Sequence, residues 1–173
     1  MILTKVFETP NGGNYFVGYY DKSPLDAMSA RLLALKSSFI NRMPVAGESL
    51  DIGYFDFPGG GGFNRLSSTK AWNWQQGCML QWLGPDFRDR ILYNDLRDAR
   101  YRAVVLELRS GEEYLLPMAA YTVSSDGEFA LCVDYDRHYW FRPGYNYQGP
   151  PRPDKRKPLD PEDGIWRMSV RCG

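Results

Sequence analysis

The chain repeats one local plan three times, and this repeat limits its fold more than any other feature of the sequence. In each copy a short strand runs into a turn rich in Pro, Asp or Gly, and an apolar strand follows. A repeated unit of this kind cannot bury its apolar face alone, so it must pack against its neighbours. The turns lie at residues 23–26, 84–86 and 124–127, and the apolar strands at residues 31–35, 90–93 and 129–133.

Each unit continues with a third strand, and two units continue with a fourth. Two of the third strands end in the same kind of turn, Arg109-Ser110-Gly111 and Arg171-Cys172-Gly173. The third strands are predicted at residues 50–57, 101–108 and 165–170, and the fourth strands at residues 63–66 and 113–116.

Four antiparallel strands in about 40–50 residues are the plan of one blade of a β-propeller. The sequence therefore predicts a single all-β domain, residues 1–173, with blades at 15–70, 71–118 and 119–173. A β-sandwich with similar turns is the alternative fold.

The count of strands predicts about two and a half to three blades. Residues 3–7 are interpreted as an outer strand, and the third unit stops at Gly173 before its fourth strand. Closed propellers typically have four to eight blades. The chain is therefore predicted to be about half a propeller, which either belongs to a longer protein or closes by pairing with a second copy. Open blade edges favour such self-association. That the chain is part of a longer protein is the more economical interpretation.

The repeated turns resemble those of TolB-like propellers. Ser124-Ser-Asp-Gly127 is similar to the turn of that family, in which Asp-Gly supplies the positive φ of a tight hairpin. Residues 19–24 resemble the first-blade segment of oligogalacturonate lyases, which are propellers of this kind. That family binds a divalent metal through several histidines and a glutamine, whereas His138 is the one histidine of this chain. The resemblance therefore implies a fold, without a metal site or a transferable catalytic residue.

The charge balance excludes two classes of partner. Lys plus Arg equals Asp plus Glu at 21 each, and a general nucleic-acid or membrane-surface binder needs a basic excess. The basic run at residues 152–157 is interpreted as a solvated loop. The cysteines Cys78, Cys132 and Cys172 have no CxxC spacing, which predicts neither disulfides nor a zinc site. With no signal peptide and no apolar run of about twenty residues, the expected location is cytoplasmic.

Two segments, residues 18–23 and 72–77, precede predicted innermost strands and are candidate ligand sites. Amides exchange paired hydrogen bonds with hydroxyls and aromatic faces stack on C–H surfaces, so together they suit saccharide recognition. Packing between blades explains the tryptophans equally well, with the amides capping strand ends. The predicted binding residues are Tyr20, Asp21, Lys22, Trp72, Asn73, Trp74, Gln75 and Gln76.

The loop at residues 135–147 contains the weaker catalytic candidates His138, Arg142 and Tyr145. Proton abstraction beside a uronate carboxylate needs a base and a cation, and these side chains supply both. An aromatic-packed loop with surface arginines is the favoured alternative. Asp134 and Asp136, two residues apart on a predicted strand, would share a face and hint at cation binding.

These features predict a saccharide-recognising propeller module, part of a carbohydrate-active, polysaccharide-lyase-like protein. The sequence leaves open whether the chain is an enzyme and whether it binds a cofactor. The alternative function is a non-catalytic scaffold that binds proteins on its blade faces, which predicts exposed apolar patches.

Overall fold

A computed structural model of the chain describes residues 3–149, 154–158, 160–161 and 163–171. Strands make up 36% of the structure and helices 6%, which confirms the predicted all-β class. The strands form three antiparallel sheets of four, four and three strands in chain order. Within each sheet, neighbouring strands are consecutive in the chain, so three successive segments each fold as a sheet of their own.

Sheet 1 contains β1 (Asn14–Phe16), β2 (Arg31–Ser37), β3 (Leu50–Asp56) and β4 (Asn64–Thr69). The register of β3 on β4 shifts at Gly53, where a bulge bends the strand. A Cβ built on Gly53 would overlap the backbone oxygen of Asn64 on β4, so only glycine fits this close approach of two strands.

Sheet 2 contains β5 (Gln81–Trp82), β6 (Arg90–Arg97), β7 (Arg100–Glu107) and β8 (Glu113–Leu115). The strands β6 and β7 pair over their full length, and a two-residue turn joins them. Both turn residues have positive φ, 50° and 57°, which matches the right-handed twist of the flanking strands.

Sheet 3 contains β9 (Ala120–Val123), β10 (Phe129–Cys132) and β11 (Trp166–Ser169). The connection from β10 to β11 begins with helix α1 (Tyr135–Phe141), followed by the 3-10 turn Pro143–Tyr145. The prediction of an irregular loop over residues 135–147 is therefore wrong.

Asp134 explains this error, because it starts the helix. Its side chain accepts hydrogen bonds from the backbone N–H groups of Asp136 and Arg137, which are the donors that a helix start leaves unpaired. The carboxylate also forms an ion pair with Lys155 at 2.5 Å. Asp134 and Asp136 thus lie at a helix start rather than on one face of a strand, and the hint of a cation site is not supported.

Sheet 2 lies between the other two sheets, and both of its faces are buried. On β7, Val104 and Leu106 pack toward sheet 1, whereas Ala103 and Val105 pack toward sheet 3. This follows from the two-residue period of a strand, which sends successive side chains to opposite faces. Three sheets packed in series differ from the two-sheet sandwich that was the alternative prediction.

Residues 3–7 do not form the outer strand that the sequence predicted. Phe7 instead packs its ring on the outer face of sheet 1, with centroid distances of 5.3 Å to Phe55 and 6.1 Å to Phe57. Side-chain burial, rather than backbone pairing, thus attaches this segment. Part of the predicted basic run, residues 152–153, and the end of the turn at 171–173 lie outside the described residues.

Candidate functional site

The three repeated turns converge on one cleft of about 470 Å³. Each sheet contributes residues next to its own turn, so equivalent positions of the three units face the same space. The cleft is lined from sheet 1 by Asp21, Lys22, Ser23, Leu25, Asp26 and Ala27, from sheet 2 by Gln81, Trp82, Gly84 and Phe87, and from sheet 3 by Thr122, Val123, Ser124 and Ser125.

Hydrogen bonds between sheets 1 and 2 fix one side of the cleft. The indole Nε1 of Trp82 donates to the Pro24 carbonyl oxygen at 2.9 Å, and the Ala27 N–H donates to the Phe87 carbonyl oxygen at 3.0 Å. The guanidinium of Arg31 lies 4.7 Å from the centre of the Trp82 ring. These contacts join the turn of sheet 1 to β5 and hold the cleft wall in place.

Two glycines bring sheets 2 and 3 together on the other side. A Cβ built on Gly84 would overlap the carbonyl oxygen of Ser125, and one built on Gly127 would overlap the carbonyl oxygen of Gly84. Gly127 has φ 72°, the positive value expected for the Asp-Gly turn. Backbone therefore touches backbone here, and the turn of sheet 3 forms the floor of the cleft.

An ion pair between adjacent residues provides the charge of the cleft. Lys22 Nζ lies 3.1 Å from Asp21 Oδ1 and 3.0 Å from Oδ2. The Lys22 side chain is only 7% exposed, whereas that of Asp21 is 48% exposed. A buried ammonium needs a partner of opposite charge, and Asp21 is that partner.

Uncharged polar groups and one ring complete the lining. Ser23, Thr122 and Ser125 contribute hydroxyls, and Gln81 anchors its amide by donating from Nε2 to the Met79 carbonyl oxygen at 3.1 Å. Phe87 is 37% exposed. A few fixed polar groups around a concave, partly apolar surface are typical of small-ligand sites.

The predicted residues Trp72 and Trp74 belong to the packing between sheets 1 and 2. Trp72 is 1% exposed and donates its Nε1 proton to the Glu48 carbonyl oxygen at 2.9 Å. Trp74 donates its own to the Arg42 carbonyl oxygen at 2.7 Å, and the two indoles meet edge to face. Trp72 has no free face for a sugar, so the structure agrees with the packing interpretation of this residue.

The three amide residues of this segment, Asn73, Gln75 and Gln76, form a turn. Asn73 Oδ1 accepts from the backbone N–H groups of Gln75 and Gln76, both at 2.8 Å. Gln76 is buried and its Nε2 lies 3.5 Å from the hydroxyl of Tyr121 in sheet 3. Of the three amide side chains only Gln75 is exposed. None of the three lines the cleft.

Asp21 and Lys22 do line the cleft, whereas Tyr20 lies outside it with 85% of its surface exposed. The Tyr19 hydroxyl donates to that of Tyr20 at 3.4 Å, and this hydrogen bond raises the pKa of Tyr19 to about 12. Residues 18–23 were predicted to precede the innermost strand of the first unit, but they follow β1. They interrupt the strand, which resumes pairing on β2 at Leu25.

His138 lies in a second cleft of about 440 Å³ beside helix α1. Burial, with a smaller effect of the Arg142 charge, lowers the pKa of His138. Arg142 and Tyr145 are exposed and do not line this cleft, so it does not gather the three predicted catalytic side chains. Its lining consists of Val133, Asp134, Arg137, His138, Phe141, Pro158, Asp163, Gly164 and Ile165.

Sequence reasoning missed Gln81, Phe87, Thr122, Ser124 and Ser125 as lining residues. The signal was present, because all five lie in or within a few residues of the repeated turns. Turns at equivalent positions of packed repeats come together at one end, so their flanking side chains share a space.

Within the described ranges no group of three or more His, Cys, Asp or Glu side chains is arranged to hold a metal ion. No helix in that part of the chain has the length and apolar character needed to cross a membrane. No protein-family model, curated protein or solved structure matches this chain. The resemblance to TolB-like propellers therefore stays a prediction.

Proposed function

We propose that this chain is a saccharide-binding module and that the cleft between the three repeated turns is its binding site. The observation that carries the proposal is the convergence of hydroxyl, amide and carboxylate groups from all three sheets on one space of about 470 Å³. That volume falls within the range of about 300–1,000 Å³ usual for ligand pockets.

The chemistry of the lining suits a saccharide. Hydroxyls of Thr122 and Ser125 and the carboxylate of Asp21 match the donors and acceptors of a sugar ring. The exposed part of the Phe87 ring offers an apolar surface for C–H groups. Each group comes from a paired strand or a hydrogen-bonded turn, so little ordering is needed when a ligand binds.

The sheet arrangement supports blades of a TolB-like propeller as the architecture. Three consecutive antiparallel sheets pack face to face, and the segments beside their repeated turns border a common cleft. Ligands of propellers and related repeat folds bind where the repeats converge. Binding rather than catalysis is proposed, since the candidate base His138 lies in a different cleft.

Calorimetric titration with a panel of oligosaccharides tests the proposal, using two matched glutamine variants. Gln81→Ala removes a cleft amide and should weaken binding about tenfold, the equivalent of one good hydrogen bond. Gln75→Ala removes an exposed amide outside the cleft and should leave the affinity unchanged. Absence of binding by the unaltered chain, or an equal effect of both variants, would overturn the proposal.

A protein-binding scaffold is the second candidate, favoured by exposed apolar side chains at sheet 3. Leu131 on β10, Phe141 at the end of α1 and Ile165 before β11 are all exposed. Such a surface suits a partner protein or a second copy of the chain. Light scattering and co-purification with Leu131→Glu as the variant test it, and the scaffold role requires an association that this variant removes.

A further inference from the structure

We infer that the cleft selects an uncharged saccharide and that Asp21, rather than Lys22, presents its charge to the ligand. This inference rests on the proposed function and adds the class of saccharide. It follows from how the ion pair is seated, from the other charges in the cleft and from the hydrogen bonds that remain available.

In the ion pair the Lys22 side chain is buried and the Asp21 carboxylate is exposed. The Lys22 N–H donates to the Tyr19 carbonyl oxygen at 3.2 Å, which closes a turn over residues 19–22. This turn places two adjacent side chains on the same side, although neighbours in an extended strand point apart. The buried ammonium contacts both carboxylate oxygens, and the carboxylate is the member of the pair that reaches solvent.

Among the residues that the structure describes, no surplus positive charge faces the cleft. The second carboxylate of the lining, Asp26, accepts hydrogen bonds from the Ala30 N–H at 2.8 Å and from Arg31 Nε at 3.0 Å. Arg31 therefore compensates Asp26, as Lys22 compensates Asp21. All other lining side chains are uncharged. A ligand carboxylate, sulfate or phosphate would meet the exposed Asp21 oxygens before it met any cation, and like charges repel.

The exposed carboxylate instead fits neutral hydroxyls. An ionised carboxylate only accepts hydrogen bonds, and its two oxygens can receive two neighbouring hydroxyl protons. Such charge-assisted hydrogen bonds are roughly twice as strong as neutral ones. Lys22 acts as a positioning residue, because it holds the Asp21 carboxylate through both oxygens without being accessible itself.

Titration of matched neutral and acidic oligosaccharides, such as glucose and glucuronate oligomers of equal length, tests the inference. The unaltered chain should bind the neutral oligomer at least about tenfold more tightly than the acidic one. Asp21→Asn keeps the shape but leaves the positive charge of Lys22 uncompensated, so the preference should reverse toward the acidic oligomer. Lys22→Met should weaken neutral binding without producing acidic binding, and Lys22→Arg should restore part of it.

Asp98→Asn is the charge-matched control, because Asp98 is 87% exposed in the turn between β6 and β7. It should change neither affinity nor preference, and melting curves should show that all variants are folded. Tighter binding of the acidic oligomer by the unaltered chain, or an unchanged preference in Asp21→Asn, would overturn the inference and leave the proposed function standing. Binding of neither oligomer class would instead overturn the proposed function.

Discussion

The side chain of Asn94 pairs with both backbone groups of Ala120. Its Nδ2 donates to the Ala120 carbonyl oxygen at 2.8 Å, and the Ala120 N–H donates to its Oδ1 at 2.9 Å. Asn94 lies on β6 and Ala120 begins β9, so one fully buried amide joins sheet 2 to sheet 3 as a strand would. Nδ2 also donates a third hydrogen bond, to the hydroxyl oxygen of Tyr147 at 2.9 Å.

Replacing this amide should be costly. Asn94→Ala leaves the buried Ala120 N–H without its partner and leaves the Ala120 carbonyl oxygen with the weaker hydrogen bond from the Tyr135 hydroxyl at 3.3 Å. A buried polar group left unpaired costs about 1–3 kcal/mol. We expect the free energy of unfolding in urea to fall by about 2–4 kcal/mol. The exposed Asn41→Ala is the control and should change it by less than about 0.5 kcal/mol. A loss below about 1 kcal/mol in Asn94→Ala would contradict the role assigned to this pair.

The glycine contact that forms the cleft floor gives a second prediction. In Gly84→Ala the new methyl group would overlap the Ser125 carbonyl oxygen, so the turn of sheet 3 must move away. Overpacking of this kind typically costs about 1–3 kcal/mol. The same displacement should weaken saccharide binding.

Gly59→Ala is the matched control for Gly84→Ala. A Cβ there meets nothing within 4 Å, and the residue lies in the tip between β3 and β4. Its melting temperature and its affinity should both equal those of the unaltered chain. If Gly84→Ala also left both quantities unchanged, the close approach of the two backbones would not be needed for the cleft.

His138 predicts a stability change between neutral and mildly acidic pH. Because burial lowers the pKa of folded His138 below its ordinary value of 6.5, the unfolded chain binds this proton more readily. The stabilisation is therefore complete above about pH 6.5 and is lost as the pH falls toward the folded pKa. His138→Gln cannot titrate and should flatten the pH dependence of the urea midpoint between about pH 7 and pH 5.

Glu48 affects stability at a lower pH than His138, since its hydrogen bond with Arg42 lowers its pKa from 4.5 to about 2. Its contribution is present above pH 4.5 and is lost as the pH falls toward about 2. Identical slopes above pH 5 for the unaltered chain and His138→Gln would show that the imidazole is not the group responsible.

A polar network between sheets 1 and 2 supplies the last prediction. The hydroxyl of Tyr93 on β6 lies 2.8 Å from Ser67 Oγ on β4 and donates to Glu113 Oε1 on β8 at 2.7 Å. Tyr93→Phe and Ser67→Ala should each destabilise the chain by about 1 kcal/mol. Because the two side chains share a hydrogen bond, the loss of unfolding free energy in the double variant should be smaller than the sum of the two single losses. The difference should be at least about 0.5 kcal/mol. Strict additivity would show that they do not interact.

The sequence alone determined where most of the strands lie. Runs of apolar residues bounded by Pro, Asp and Gly predicted strands at residues 31–35, 90–93 and 129–133, and β2, β6 and β10 begin at those residues. Strand position is encoded locally, because alternation of side chains and the backbone preference of a turn both act over a few residues. The positive φ of Gly127 followed from the same local chemistry.

The tertiary structure decided which side chains are accessible. Trp72 and Asp21 both precede apolar strands, yet the indole packs between sheets 1 and 2 while the half-exposed Asp21 carboxylate lines a cleft shared by all three sheets. Phe7 similarly packs on a sheet face instead of extending it. The accessibility of a side chain depends on contacts between residues far apart in the chain. The packing of whole sheets decides which residues make these contacts. Local patterns therefore located the repeated turns, and only the packing of three sheets made them one site.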